Sequence, residues 1–340
     1  MRLSLAVLVV AALFGLASPP AVAGQRPERQ VVTHFFRTGA GLANLYSVVG
    51  TSRSYRVIGD ETFVELARRF DLGFNELVDA NPALDPWEPG PGHELLLPSE
   101  WVLPQGSYEG LVVNIPEMRL YYYLPSPRAS GRSSMVVTYP VGLGHKRWDE
   151  AKPEFTVTAK TLDPVWTADG GRLFGRLSRR IAGGHSDNPL GSHLLELSLS
   201  GYSIHGTNKD WGVGMRVSHG SVRMYPEDIE ALFPLIPVGS PGRFVYQPVK
   251  VGMRRGRVVV EVHDDIYGVA PWPWLLATQA IEEMSLGRYV DPERLRAAVE
   301  ATSGVPTDVS YVDWPRLDTS EKVGFNQRGN PLRPYPKPQD

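Results

Sequence analysis

Ser218-His219-Gly220-Ser221-Val222-Arg223, with Ile204-His205-Gly206-Thr207-Asn208 upstream of it, decides how the rest of the chain is read. It gathers histidine, a hydroxyl nucleophile and glycine-loosened backbone into one short region. Acyl transfer needs those parts: a nucleophile, a base to take its proton, and backbone N–H groups facing the developing oxyanion. Gly220 lets the backbone take unusual conformations, so amides near Gly220 and Ser221 can point at such an oxyanion. His205 ends a predicted strand beside Gly206, and a neutral imidazole titrating near neutrality suits proton transfer. The competing reading of His205 is a histidine that caps a strand and bonds to backbone. Arg223 offers a planar fork for a carboxylate, or else a surface ion pair. His219 and Ser218 read as hydrogen-bonding supports of the loop. Trp211, in the glycine-rich run Lys209 to Met215, lines the cleft or belongs to local core. The remaining histidines show no metal-ligand spacing such as His-Glu-x-x-His, so neither a metal nor a cofactor is expected.

Outward from this stretch, short strands dominate. Leu111–Asn114 and Arg119–Tyr123 are predicted strands across a Pro116-Glu117 turn, followed by Val136–Val141 and Phe155–Thr158. Further strands are predicted near Leu194–Leu199, Ser203–His205 and Arg243–Tyr246, with one helix at Pro226–Leu235, whose Pro-Glu-Asp start suits a helix N-terminus. Dense strands with few helices indicate a mainly β, sandwich-like domain. Ahead of it, residues 53–98 form a small α+β unit. Tyr55–Ile58 reads as a strand, Phe63, Leu66, Ala67 and Phe70 recur at helical spacing, a second helix covers Phe74–Asp79, and Glu94–Leu97 returns as a strand. Pro104–Ser107 reads as a linker, and residues 24–52 carry no clear pattern.

Composition narrows the function classes. A formal net charge of −2 over 340 residues gives no reason to expect a nucleic-acid partner. Basic Met1-Arg2, the apolar run Leu3–Leu16 and the small residues Ala21-Val22-Ala23 form a secretory signal peptide over residues 1–23. Zero cysteines excludes disulfides and thiolate metal sites. The Pro- and charge-rich end, residues 330–340, reads as a disordered tail.

The catalytic stretch resembles the signature of the L,D-transpeptidases, also called the YkuD or ErfK/YbiS/YcfS/YnhG family. There the run is Ser-His-Gly-Cys-x-Arg after an Ile-His-Gly-Thr-Asn segment, and here Ser221 stands at the cysteine position. Asp187-Asn188-Pro189-Leu190-Gly191 and Gly201-Tyr202-Ser203-Ile204-His205-Gly206 also match family blocks, whereas Lys152-Pro153-Glu154-Phe155 lacks the glycine usual in its turn. The resemblance spans residues 108–247 and implies a YkuD-type β-sandwich-like catalytic domain. Residues 248–329 resemble the C-terminal extension of the periplasmic subgroup. Gly-Asp-x-Thr, Asn-Pro and Gly-x-x-Leu-x-x-Pro in residues 53–98 resemble a LysM module, a family that grips N-acetylglucosamine-containing glycans.

The resemblance implies a periplasmic enzyme that attacks a peptidoglycan tetrapeptide stem. His205 would be proton acceptor and donor, Ser221 the nucleophile, Gly220 an oxyanion contributor and Arg223 the organiser of the pocket. The acceptor would be another stem, a D-amino acid or the lysine of an envelope lipoprotein. Serine changes the chemistry. A free thiol of pKa about 8.5 can be ionised by a nearby histidine, but a serine must lose its proton during attack, to a base oriented by a third group. In this family that third group is generally a backbone carbonyl. The same residues also admit a catalytically silent peptidoglycan-binding protein, or a hydrolase in which water resolves the acyl-enzyme.

Overall fold

The computed structural model describes residues 31–36, 47–125, 134–144, 154–167, 180–218 and 221–313. The expected signal peptide and tail, the departing turn at Lys152-Pro153, and His219 and Gly220 lie outside them, and of Ser218 only the backbone is described.

A nine-stranded mixed sheet organises the chain. Its strands run in the spatial order His34–Phe36, Ser134–Pro140, Arg119–Leu124, Gly110–Asn114, Pro241–Val245, Glu154–Leu162, His193–Leu197, Ser203–His205 and Val222–Arg223. Two of its pairings are parallel, Pro241–Val245 on Gly110–Asn114 and Ser203–His205 on Val222–Arg223. The fold is therefore mainly β, as expected.

The central strands are buried on both faces, which explains their unbroken apolar runs. Leu111, Val113, Leu120 and Tyr122 face a core shared with Ile204, Val222 and Ile229. Their neighbours Val112, Tyr121 and Tyr123 face the opposite way, into a core shared with Phe63, Leu66 and Leu77 of the N-terminal unit. That unit consists of strand Arg53–Arg56, helix α1 (Phe63–Phe70), helix α2 (Phe74–Ala80) and strand Glu94–Leu97. Thr62 caps α1 in a reciprocal box with Glu65. Asn81 ends α2 and ties it to the last strand, donating to Leu77 O and Leu96 O and accepting from Leu96 N. The unit rests on the back of the sheet and shares its core. The first strand lies two residues earlier than the sequence pattern suggests, and Ile58 N already donates to the Glu61 carboxylate in the turn before α1.

The segment without a clear pattern supplies two short strands. His34–Phe36 joins the edge of the large sheet, and Val48–Gly50 pairs with Glu100–Val102. Beyond the sheet, the hairpin Val249–Arg254/Arg257–Val262 packs against α4 (Pro273–Glu283) and α5 (Pro292–Ala301) around a third core. Helix α3 (Pro226–Leu232) is shorter than expected, its last residues tightening into a 3-10 turn at Phe233–Leu235. Among the described residues no helix is long and apolar enough to cross a membrane.

Candidate active site

The site is built on the parallel pair Ser203–His205 and Val222–Arg223, in register Ile204 to Val222 and His205 to Arg223. Successive strand side chains alternate between faces. Ile204 and Val222 are fully buried in the sheet core, so Ser203, His205, Ser221 and Arg223 share the other face. The same register continued by one residue sets Ser203 beside Ser221, with their Oγ atoms 3.3 Å apart.

Several backbone contacts hold this pair. Met224 N donates to His205 O, and Gly142 and Arg223 exchange both backbone hydrogen bonds, at 2.8 and 2.9 Å. Beneath the histidine, Gly191 takes a positive φ of 66°, and a Cβ there would stand 3.0 Å from Thr207 N. Asn188 is buried in this turn, donating to Pro164 O and Ala182 O and accepting from Leu190 N. The block Asp187–Gly191 thus forms the bed of the His205-Gly206-Thr207 segment.

His205 is buried, and its Nδ1 lies 2.5 Å from the carbonyl oxygen of Gly206. With Nδ1–H donating there, Nε2 carries the lone pair. Burial, reinforced by the charge of Arg223 and only partly opposed by the Gly206 contact, pushes the His205 pKa down to about 4. The imidazole is therefore neutral near pH 7, the form a general base requires.

Arg223 is half-buried, and its Nε has no hydrogen-bond partner among the described residues. Burial lowers its pKa. Among the described residues no carboxylate forms an ion pair with it, so the surface ion-pair reading finds no partner. A guanidinium in this setting suits a carboxylate brought by a ligand.

The loop over the site begins with the 3-10 turn Asp210–Gly212. Trp211 is 45% exposed, which places it outside any local core. Leu143 N donates to Met215 O, and Gly214 N to Val141 O, joining this loop to the strand end beside Gly142. Gly214, at φ 77°, lies against the N-terminal unit, where a Cβ would fall 2.2 Å from Phe74 N. No side chain larger than glycine fits this crossing. The backbone of Ser218 lies in strand Arg216–Ser218, beside Gly144.

Ser203 is the site residue that the sequence pattern did not single out. Its only signal is its position, two residues before His205 on one strand and so on the same face. Elsewhere, Glu117, Glu261 and His263 bring three possible metal-ligand atoms within 4.8 Å of one another. Lys250 Nζ stands 2.8 Å from both Glu117 and Glu261 and fills the cation's place.

Comparison with known proteins gives the family. Residues 109–251 match YkuD, described as an L,D-transpeptidase catalytic domain. "Probable L,D-transpeptidase YcfS" of Escherichia coli K12 is 34% identical over 277 residues, 77% of this chain and 85% of the relative. "Probable L,D-transpeptidase YbiS" of the same strain is 34% identical over 78% of this chain and 81% of its own length. "Probable L,D-transpeptidase ErfK/SrfK" is 32% identical over 74% and 82%. The chain belongs to the YkuD family of L,D-transpeptidases, which are acyltransferases.

Proposed function

We propose that this chain is an exported peptidoglycan L,D-transpeptidase that works through an acyl-enzyme on Ser221. The observation that carries the reading is the shared face of His205, Ser221 and Arg223, with a neutral imidazole and an unclaimed guanidinium Nε. Ser221 Oγ attacks the carbonyl of the L-centre of meso-diaminopimelate in a tetrapeptide stem, and its proton passes to His205 Nε2. Backbone amides near Gly220 and Ser221 receive the oxyanion. His205 then protonates the departing amine of D-alanine. An acceptor amine, from a second stem or an envelope lipoprotein's lysine, loses its proton to His205 and takes the acyl group. Arg223 holds a substrate carboxylate through its fork.

Residues 1–23 direct export, which sets the enzyme in the periplasm. The N-terminal unit, LysM-like in its motifs, holds glycan while its helices support the catalytic sheet. Its rigid seat on that sheet makes it a fixed handle for the glycan.

Mass spectrometry of the purified full-length protein with a disaccharide-tetrapeptide muropeptide tests the reading. The expected result is an adduct on Ser221 that lacks D-alanine, followed by cross-linked dimer. Free tripeptide without dimer would identify a hydrolase. Binding without adduct or turnover would identify a silent peptidoglycan-binding protein.

A further inference from the structure

Ser203 and Ser221 face each other across the parallel strand pair, with 3.3 Å between their hydroxyl oxygens. Both are only partly buried, so a substrate reaching Ser221 also reaches Ser203. Their neighbours Ile204 and Val222 are locked in the core, which fixes the register and with it the pairing of the two hydroxyls. We propose that Ser203 is a second hydroxyl of the reaction, donating a hydrogen bond to one lone pair of Ser221 Oγ and so holding the Ser221 O–H towards His205. This rests on the reading of Ser221 as the nucleophile.

The physical reason lies in the exchange of sulfur for oxygen. A thiol is a strong nucleophile that needs little help to lose its proton. A serine hydroxyl keeps its proton until the transition state, and the negative charge of that state goes to the carbonyl oxygen as the Oγ–carbon bond forms. What the hydroxyl needs is orientation, with its proton facing His205 and one lone pair facing the carbonyl carbon, and a donor to its other lone pair fixes that rotation. The base gives little extra help, because His205 is oriented by the neutral carbonyl of Gly206 rather than by a carboxylate. Ser203 O–H can supply the donor. Oxygen accepts such a bond well, whereas sulfur is a weak acceptor.

The step balances without any further reactant. The Ser221 Oγ–carbon bond forms, the Ser221 proton moves to His205 Nε2, and the carbon–nitrogen bond to D-alanine breaks as His205 returns the proton to that amine. The Ser203 O–H bond stays intact throughout.

The test is a two-by-two comparison of full-length proteins. Ser203→Ala is made with Ser221 in place and again together with Ser221→Cys, and acyl-enzyme formation from a disaccharide-tetrapeptide is timed by mass spectrometry. With Ser221, the loss of this orienting donor should slow acylation about 10-fold. With Ser221→Cys, the same change should stay within about twofold. Ser203→Thr, which keeps a hydroxyl and suits a strand, should restore most of the Ser221 rate. Equal losses in the two backgrounds would make Ser203 a structural residue and overturn the proposal, as would an unchanged rate with Ser221. A wild type that forms no adduct while Ser221→Cys does would overturn the acyl-serine reading itself, and this inference with it.

Discussion

Arg68, in the N-terminal unit, grips Glu227 in α3 with two hydrogen bonds, Nε to Oε1 at 2.9 Å and Nη2 to Oε2 at 3.0 Å. Glu227 is buried and stands four residues after Arg223. The same guanidinium also pairs with Asp210, at the start of the loop over the site. One cation of the N-terminal unit therefore ties the loop before strand Val222–Arg223 to the helix after it. Arg68→Ala should destabilise the protein by about 2–3 kcal/mol, short of the 3–5 kcal/mol typical of a fully buried pair because Arg68 is partly exposed. Urea denaturation measures this. A drop in kcat larger than the rise in KM should accompany it if the loop loses its position, and unchanged kinetics would show that the loop holds without this tether.

A second buried network joins the sheet to the C-terminal hairpin. Lys250 Nζ lies 2.8 Å from both Glu117 and Glu261, and His263 Nε2 lies 2.7 Å from Glu261. Burial works against charge on His263, but the hydrogen bond and charge of Glu261 outweigh it and raise its pKa. His263 and Lys250 thus both stand against the buried carboxylate of Glu261. Lys250→Met removes one cation from between two buried anions and should cost about 3–5 kcal/mol of stability. Adding Glu117→Gln should recover part of that loss, because it removes one of the stranded charges. A double variant no more stable than Lys250→Met in chemical denaturation would mean that the loss comes from packing rather than charge.

Much of this architecture was legible because local chemistry and tertiary packing agree. Glu94–Leu97 and Ser203–His205 have the bounds that their sequence pattern suggests. Helix Pro273–Glu283 escaped notice because Pro271-Trp272-Pro273 reads as a break, although proline is at home in a helix's first turn. The hairpin Val249–Val262 turns at Arg255-Gly256, both with positive φ, a two-residue turn that the glycine could have signalled. His205, Ser221 and Arg223 stood out in the sequence, and the structure sets them on one face of the strand pair. Ser203 did not, because its place opposite Ser221 depends on pairing with the two-residue strand Val222–Arg223, too short to leave a pattern of its own.

The depressed pKa of His205 has consequences for both rate and stability. Burial holds it at about 4 rather than 6.5, so the base form persists well below neutrality. The acid limb of kcat/KM for acylation should fall near pH 4–5 instead of near 6.5. Stability follows from the same shift. Between pH 6.5 and 4 the unfolded chain binds the proton more readily than the folded one, so folding weakens as pH falls, by up to about 3 kcal/mol below the folded pKa. His205→Gln removes this contribution. The difference in stability between wild type and variant, measured by denaturation at several pH values, should therefore change across that window and stay level above it. A difference that does not vary with pH would place the His205 pKa near its ordinary value.

Restoring a thiol asks whether the remainder of the site still suits the family's usual nucleophile. Ser221→Cys leaves His205 Nε2, the Gly206 carbonyl and Arg223 where they are, and supplies a thiol whose proton the imidazole removes far more easily than a serine hydroxyl's. General-base assistance on the order of 10²–10⁴ then becomes available to a better nucleophile. The variant should form tripeptide or dimer from a disaccharide-tetrapeptide faster than wild type, and adding His205→Ala should abolish the gain. Chromatography of the muropeptide products checks both. A variant slower than an active wild type would mean that the site has been rebuilt around oxygen, with the Ser203–Ser221 pair as the visible part of that change. A folded Ser221→Cys protein that stays inert with every amine acceptor offered would count for a binding protein that has kept the cleft and lost the reaction.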